Sequence, residues 1–163
     1  MNDNYAVING KKIELTGKQI KALGFEARKN PFDRVANGNV YYRVTEYGNI
    51  NEFIEYSDLT DSNLYSNVNY FNDDSVAQQV ALHQLLYRKL LKFAYDNGCE
   101  DVEWNRERTH WYIYYNIVDN KFDTDPNDAF KHQEVYFSSA DGANRAIEEV
   151  VKPFMKEHPE FVW

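Results

Sequence analysis

The sequence predicts an α+β fold, in which an antiparallel β-sheet of hairpins packs against one long central helix and a shorter C-terminal helix. Three observations lead to this class. Asn and Gly turns separate short aromatic and β-branched runs, a central segment repeats apolar residues with helical spacing, and an alternating aromatic strand precedes a capped apolar segment. At 163 residues the chain fits a single domain, 1–163, with residues 1–38 forming an N-terminal hairpin plus short helix, a loosely attached element.

The N-terminal hairpin is predicted from Asn9-Gly10, a favoured two-residue turn, which separates residues 5–8 from residues 11–14. Thr16 and Gln19 then have the spacing of a capping box, in which each side chain bonds the backbone of the other. The short helix that begins there is expected to end at Gly24.

A second hairpin is predicted around Gly48-Asn49. A two-residue turn there pairs Tyr47 with Ile50 and Val44 with Phe53. This register puts Glu46 and Glu55 on one face of the hairpin and Glu52 on the other. Residues 57–73, which are polar and rich in Asn, are expected to form a long loop.

The long helix is predicted over about 75–97, beginning at a capping box of Ser75 and Gln78 and ending at Gly98. At 100° per residue its apolar residues share one face. They are Val76, Val80, Leu82, Leu86, Tyr87, Leu90, Leu91, Phe93 and Ala94.

The C-terminal third is predicted to contain a strand over 111–118, a loop over 120–128 and a returning strand over 134–138. Ser138 or Ser139 caps the last helix, and Pro153 either kinks it or opens a new turn, because proline lacks the N–H that a helix uses.

Charge is unevenly distributed along a chain whose net charge is −8. Residues 1–43 are basic, whereas residues 44–87 hold seven carboxylates and no Lys or Arg. Such a field repels phosphate and attracts basic proteins, so direct nucleic-acid binding is not expected. The single cysteine and the absence of long apolar runs predict a cytoplasmic protein that does not enter a membrane.

The sequence contains none of the phosphate-binding, hydrolase or zinc-protease motifs, so we expect no catalytic residues and no cofactor. His83 is interpreted as a buried histidine of the helix core, and Cys99 as an unreactive thiol. A weak calcium pattern places Asp123, Asp125, Asn127 and Glu134 at positions 1, 3, 5 and 12 of an EF-hand loop. Asp128 occupies the position that requires glycine, and an acidic hairpin loop explains the same residues.

A partner-binding surface is therefore predicted in the acidic segment, because exposed tyrosines give contact area at low entropic cost beside its carboxylates. The predicted binding residues are Glu46, Glu52, Glu55, Tyr56, Asp58, Asp61, Tyr65, Tyr70, Asp73 and Asp74.

The order of motifs resembles that of small acidic accessory proteins encoded by phages and prophages of Gram-positive bacteria. The similarity runs over about residues 39–151 and rests on structural motifs. They are Tyr-Tyr-Arg-Val (41–44), Gly48-x-Ile50, Tyr70-Phe71, Trp111-Tyr-Ile-Tyr-Tyr115, Val135-Tyr-Phe-Ser-Ser139 and Ala143-x-x-Ala146-Ile-Glu-Glu149.

This resemblance implies a phage or mobile-element context, in which acidic proteins often inhibit host defence. We therefore expect an inhibitor that binds a basic host protein, such as a CRISPR effector nuclease, in its DNA- or RNA-binding groove. Two alternatives stay open: a phage structural or assembly protein that self-associates through its tyrosines, and a calcium-binding or enzymatic module around Asp123–Glu134.

Overall fold

A computed structural model describes residues 5–23, 30–101 and 107–163, and it confirms the α+β class. In the described residues the strands form three separate antiparallel hairpins. The elements, in chain order, are β1 (Tyr5–Ile8), β2 (Lys11–Glu14), α1 (Gly17–Ala22), β3 (Val40–Val44), β4 (Ile50–Ile54), α2 (Leu59–Ser66), α3 (Asp74–Asp96), β5 (His110–Asn116), β6 (Lys121–Asn127), α4 (Ala140–Ala146), a π-helical turn (Ile147–Val151) and α5 (Lys152–Glu157).

The N-terminal hairpin and its capping box are confirmed. Asn9 and Gly10 both have positive φ, 51° and 78°, as the mirror-image hairpin turn requires. The Thr16 N–H donates to Gln19 Oε1 at 2.8 Å, while the Gln19 N–H donates to Thr16 Oγ1 at 3.4 Å. All four residues of β2 are exposed. The helix end expected at Gly24 lies outside the described residues.

Residues 30–35, by contrast, are bonded to the body of the domain. The side-chain amide of Asn72 donates to the carbonyls of Asn30 at 2.9 Å and Asp33 at 2.8 Å. The Asn72 N–H donates to the Pro31 carbonyl at 2.8 Å. The compact part of the chain therefore begins by Asn30, which is earlier than the expected boundary after residue 38.

The second hairpin forms, but its predicted register is wrong. Val44 pairs with Ile50 and Tyr41 with Phe53. The connection is longer than two residues: the Gly48 N–H donates to the Thr45 carbonyl and the Thr45 N–H to the Asn49 carbonyl. Gly48 has a φ of +83°, which marks a type I turn followed by a left-handed glycine. Glu46 therefore lies in the turn and does not share a strand face with Glu55.

The predicted loop over 57–73 contains a helix, α2. Asp58 caps it, because its side chain accepts the Asp61 N–H at 2.9 Å while the Asp61 carboxylate accepts the Asp58 N–H at 3.2 Å. This is a capping box built from two aspartates. The loop interpretation was wrong because it treated Asp58 and Asp61 as surface charges and not as a helix-initiating pair.

Helix α3 is confirmed, with a different cap and a narrower buried face. Asp73, and not Ser75, is the N-cap, and its carboxylate accepts the Ser75 and Val76 N–H groups at 3.0 and 3.2 Å. Tyr87 and Leu91, assigned to the apolar face, are exposed. The buried residues of the helix are Ala77, Ala81, Leu82, Leu86, Leu90, Phe93 and Ala94.

The third hairpin corrects the topology expected for residues 111–138. The returning strand is β6, which runs through the predicted loop, and Asn120 takes the left-handed conformation at the turn, with a φ of 53°. Residues 134–138 instead contribute a backbone bridge, in which Phe137 and Trp111 exchange hydrogen bonds of 3.0 and 2.8 Å. Ile117 and Val118, assigned to the strand, are exposed at the hairpin tip.

The C-terminal helix begins where predicted, because Ser139 Oγ accepts the Gly142 N–H at 3.1 Å. Pro153 lies in the first turn of a new helical segment, α5, which is the second of the two outcomes predicted for it. A π-helical turn over Ile147–Val151 precedes α5, and wider turns of this kind are known sites where a helix absorbs an irregularity. Ala143, Ala146, Ile147 and Val151 are the residues that this helix buries in the core.

Gly142 is a close-packing point between α4 and the end of α3. A β-carbon at Gly142 would lie 2.8 Å from Cys99 Cβ and 3.1 Å from its Sγ. Both residues are buried. We predict that Gly142→Ala lowers the free energy of unfolding by about 1–3 kcal/mol, because the helix must shift to accept the methyl group.

Urea denaturation followed by circular dichroism measures this effect. Asn144→Ala, at an exposed position of the same helix, is the matched control and should change stability by less than about 0.5 kcal/mol. Equal stability of Gly142→Ala and the wild-type protein would contradict the close approach.

Candidate functional site

Glu55, a predicted binding residue, is buried at the centre of a hydrogen-bond network. It is 1% exposed. Arg34 holds both of its carboxylate oxygens, with Nε–Oε2 and Nη2–Oε1 distances of 3.1 and 2.8 Å. The Tyr70 hydroxyl donates to Oε2 and the Ser57 N–H to Oε1, each at 2.7 Å. The hydrogen bonds from Arg34, with those from Tyr70 and Ser57, lower the pKa of Glu55 in spite of its burial.

Asp61 is the second buried carboxylate of this network. The Tyr41 hydroxyl donates to its Oδ1 at 2.7 Å, and the Tyr56 N–H donates to Oδ2 at 2.8 Å. Burial opposes ionisation, but these donors and the Asp58 N–H outweigh it and lower the pKa of Asp61. One carboxylate thus both caps α2 and ties that helix to β3.

The tyrosine rings join the two carboxylates into one unit. Tyr41 and Tyr70 stack with ring centroids 3.9 Å apart and planes 13° from parallel. Burial and the bond to Glu55 raise the pKa of Tyr70 to about 12, and burial with the bond to Asp61 raises the pKa of Tyr41 further. Glu55, Asp61 and Tyr70 therefore hold the domain together, and their assignment to a partner-binding surface was wrong.

The other seven predicted binding residues are exposed. Asp58 and Asp73 are helix caps, so their carboxylates also serve the fold. Tyr56 is 63% exposed and Tyr65 is 41% exposed. Glu46 lies in the β3–β4 turn, where the Arg88 guanidinium approaches Gly48.

Three of the exposed carboxylates gather around Tyr42. Glu52 pairs with Tyr42 across the hairpin and shares its face. Asp73 and Asp74, at the start of α3, follow Phe71, whose backbone is hydrogen-bonded to that of Tyr42. Partial burial and the charges of Glu52, Asp74 and Asp73 raise the pKa of Tyr42. We call the surface formed by Glu52, Asp73 and Asp74 the acidic face.

Two arginines that precede the acidic segment, residues 44–87, point away from the acidic face. Arg34 is paired with the buried Glu55. The Arg43 guanidinium lies 4.5 Å from the centre of the Phe53 ring, on the side of the hairpin away from Glu52. Neither arginine therefore neutralises the carboxylates of the acidic face, although Arg43 directly precedes the acidic segment.

Strand β4 adds an unpaired backbone edge to the acidic face. Tyr42 exchanges backbone hydrogen bonds of 2.7 and 2.9 Å with Phe71, so its N–H and C=O point away from β4. Glu52, its partner in the register, must likewise present its N–H and C=O to the outer edge. In the described part of the chain no other strand pairs with this edge.

The calcium pattern does not assemble. Asp123, Asp125 and Asn127 lie on strand β6, an extended backbone that does not wrap around an ion. Lys121 pairs with Asp123 at 2.9 Å, and Asn127 Oδ1 accepts the backbone N–H groups of Ala129 and Phe130. Glu134 follows in a separate segment. Among the described residues, no group of three or more metal-binding side chains is placed to hold an ion.

The histidine interpretation was also wrong. His83 is exposed, and its ring packs against Phe161 at 4.6 Å. The buried histidine is His110, whose Nδ1 bonds the Asp101 carboxylate. This pair resembles half of a catalytic triad, but an imidazole with no exposed surface cannot reach a substrate. Burial raises the pKa of the Cys99 thiol, which disfavours the reactive thiolate.

Comparison with known proteins gave no match: no family model fits the chain, and no curated protein or solved structure resembles it significantly. The fold and the exposed carboxylates therefore define an α+β domain with an acidic face. No helix of the described residues is both long and apolar enough to cross a bilayer.

The buried carboxylates predict how stability depends on pH. Both have pKa values below the ordinary range, so they add stability that is present above about pH 4 and is lost as pH falls through their folded pKa values. Glu55→Gln removes the charge opposite Arg34 and should destabilise the protein by roughly 3 kcal/mol at neutral pH. The free energy of unfolding of this variant should also fall less steeply than that of the wild-type protein as the pH is lowered.

Urea unfolding between pH 3 and about 7 tests this prediction. Glu52→Gln, an exposed carboxylate of the same hairpin, is the control and should reproduce the wild-type curve. If the free energy of unfolding fell as steeply with decreasing pH in Glu55→Gln as in the wild-type protein, a structural role for the Glu55 charge would be contradicted.

Proposed function

We propose that this protein acts by binding a basic partner protein through the acidic face and the adjoining edge of β4. The observation that carries the proposal is the grouping of Glu52, Asp73 and Asp74 around Tyr42. The three carboxylates belong to residues 44–87, which contain no Lys or Arg. Complementary charge steers encounter and fixes register, and an open strand edge can pair with an extended backbone.

The partner class that best suits this surface is a nucleic-acid-binding protein. Its groove must offer closely spaced cations, because duplex DNA carries about one charge per 1.7 Å of axis. Three carboxylates around one tyrosine, near a helix N-terminus, supply a compact group of negative charge. The resemblance to phage accessory proteins supports an inhibitor of a host defence nuclease, as in anti-CRISPR proteins.

Neutralising the acidic face tests this proposal. We predict that Glu52→Gln/Asp74→Asn binds the partner about tenfold more weakly, because two charges at the interface are lost. Affinity capture from host lysate at low and moderate ionic strength identifies the partner, and titration with the captured protein then measures affinity.

Asp128→Asn/Glu157→Gln is the matched control, since it has the same net charge but alters exposed carboxylates elsewhere. It should bind like the wild-type protein, and the wild-type protein should displace nucleic acid from the captured partner. Capture that is insensitive to salt, or equal loss in both double variants, would refute the electrostatic mode.

A second candidate function is self-association, as in a phage assembly protein. Beside the open edge of β4, Ile54, Tyr56 and Leu59 are 44%, 63% and 76% exposed. Two copies could pair these edges and cover the apolar side chains. If so, sedimentation will show a concentration-dependent dimer that Tyr56→Ser/Leu59→Ser abolishes; a monomer at high concentration excludes it.

A further inference from the structure

A groove of about 760 Å³ lies between α3, β5, the segment over 133–135 and the C-terminal residues. Its volume is in the range of ligand sites, and its floor is apolar. The floor residues are Leu86, Leu90, Ile113, Val135 and Phe161, all of them buried.

The rim of the groove is aromatic and polar. Tyr87 is 46% exposed and Trp163 is 38% exposed, and the half-buried Tyr114 completes the set of rings. The side chains of Gln84 and Gln133 add amide groups. Such a combination of apolar floor and few polar groups is typical of a recognition site.

The wall formed by the C-terminal residues is held in place by one side chain of α3. The Gln79 amide donates to the Glu160 carbonyl at 2.7 Å, and its oxygen accepts the Val162 N–H at 2.9 Å. Trp163 also packs edge-on against Phe122, with centroids 4.8 Å apart. The aromatic wall is therefore positioned by specific bonds before any ligand arrives.

The carboxylate and the aromatic rings of the groove favour a positively charged ligand. Among the described residues that line it, Glu134 carries the one carboxylate and none is Lys or Arg, while the imidazole of His83 packs edge-on against Phe161. The ammonium group of Lys121 interacts electrostatically with Tyr114, but it is paired with the Asp123 carboxylate at 2.9 Å. Aromatic faces attract cations through their negative π-surfaces, and a carboxylate at the rim adds to that attraction.

We propose that this groove binds an arginine side chain presented by a peptide segment of a partner protein. The guanidinium stacks on the aromatic rim and pairs with Glu134, while the aliphatic stem covers the apolar floor. The site goes beyond the proposed function, because none of its lining residues belongs to the acidic face.

The test uses a blocked Gly-Arg-Gly peptide and its citrulline counterpart, which has the same shape without the charge. Titrations followed by the indole N–H signal of Trp163 should show the arginine peptide binding about tenfold more tightly than citrulline. Glu134→Gln should weaken arginine binding about fivefold and leave citrulline binding unchanged.

Glu157→Gln, an exposed carboxylate outside the groove, and Glu52→Gln/Asp74→Asn, on the acidic face, are the controls and should bind the arginine peptide like the wild-type protein. Equal affinity for the two peptides, full affinity in Glu134→Gln, or weakening in the acidic-face variant would overturn the proposal. Because Glu134 is exposed, its substitution leaves the fold intact, which thermal unfolding verifies.

Discussion

The helix α3 is the element that both hydrophobic cores of the described chain share. Its first half presents Ala77 and Ala81 to a small core with Val44 and Phe71, and small side chains there let the second hairpin approach closely. From Leu82 onward it enters the larger core formed with β5 and the C-terminal helices. The two hydrophobic cores are therefore held in a fixed relative position by one continuous helix, α3.

Each face of the second hairpin contributes buried side chains, by different means. Val44 and Ile50 meet the apolar side of α3, while Tyr41 and Glu55 on the opposite face enter the hydrogen-bond network. Buried carboxylates are tolerated there because each receives several donors, and unpaired burial would be costly. The same acidic segment thus buries two of its seven carboxylates and leaves five at the surface, where Asp58 and Asp73 cap helices.

Local signals in the sequence predicted local structure well. Asn9-Gly10, the apolar spacing of α3 and the cap at Ser139 each act within one element, and each was confirmed. The register of the second hairpin was not predictable in this way, because both of its faces mix apolar and charged residues and alternation then does not choose between registers.

Long-range pairing limited the prediction of the site. Nothing local distinguishes Glu55, which is buried by partners such as Arg34 and Tyr70, from the exposed Glu52. Asp61 differs, because its capping-box spacing from Asp58 is a local signal. The other five carboxylates of the predicted binding surface are exposed. The groove was missed because its walls come from segments about 50 and 80 residues apart, a distance at which sequence periodicity carries no information.

The bond from Gln79 to the C-terminal residues has a kinetic consequence. Its two partners lie 81 and 83 positions further along the chain, so closing this contact costs the entropy of a loop that spans half the protein. Contacts of such high sequence separation form late in folding, after hairpins and helices have nucleated locally. We therefore expect the wall that carries Trp163 to be among the last parts of the fold to assemble.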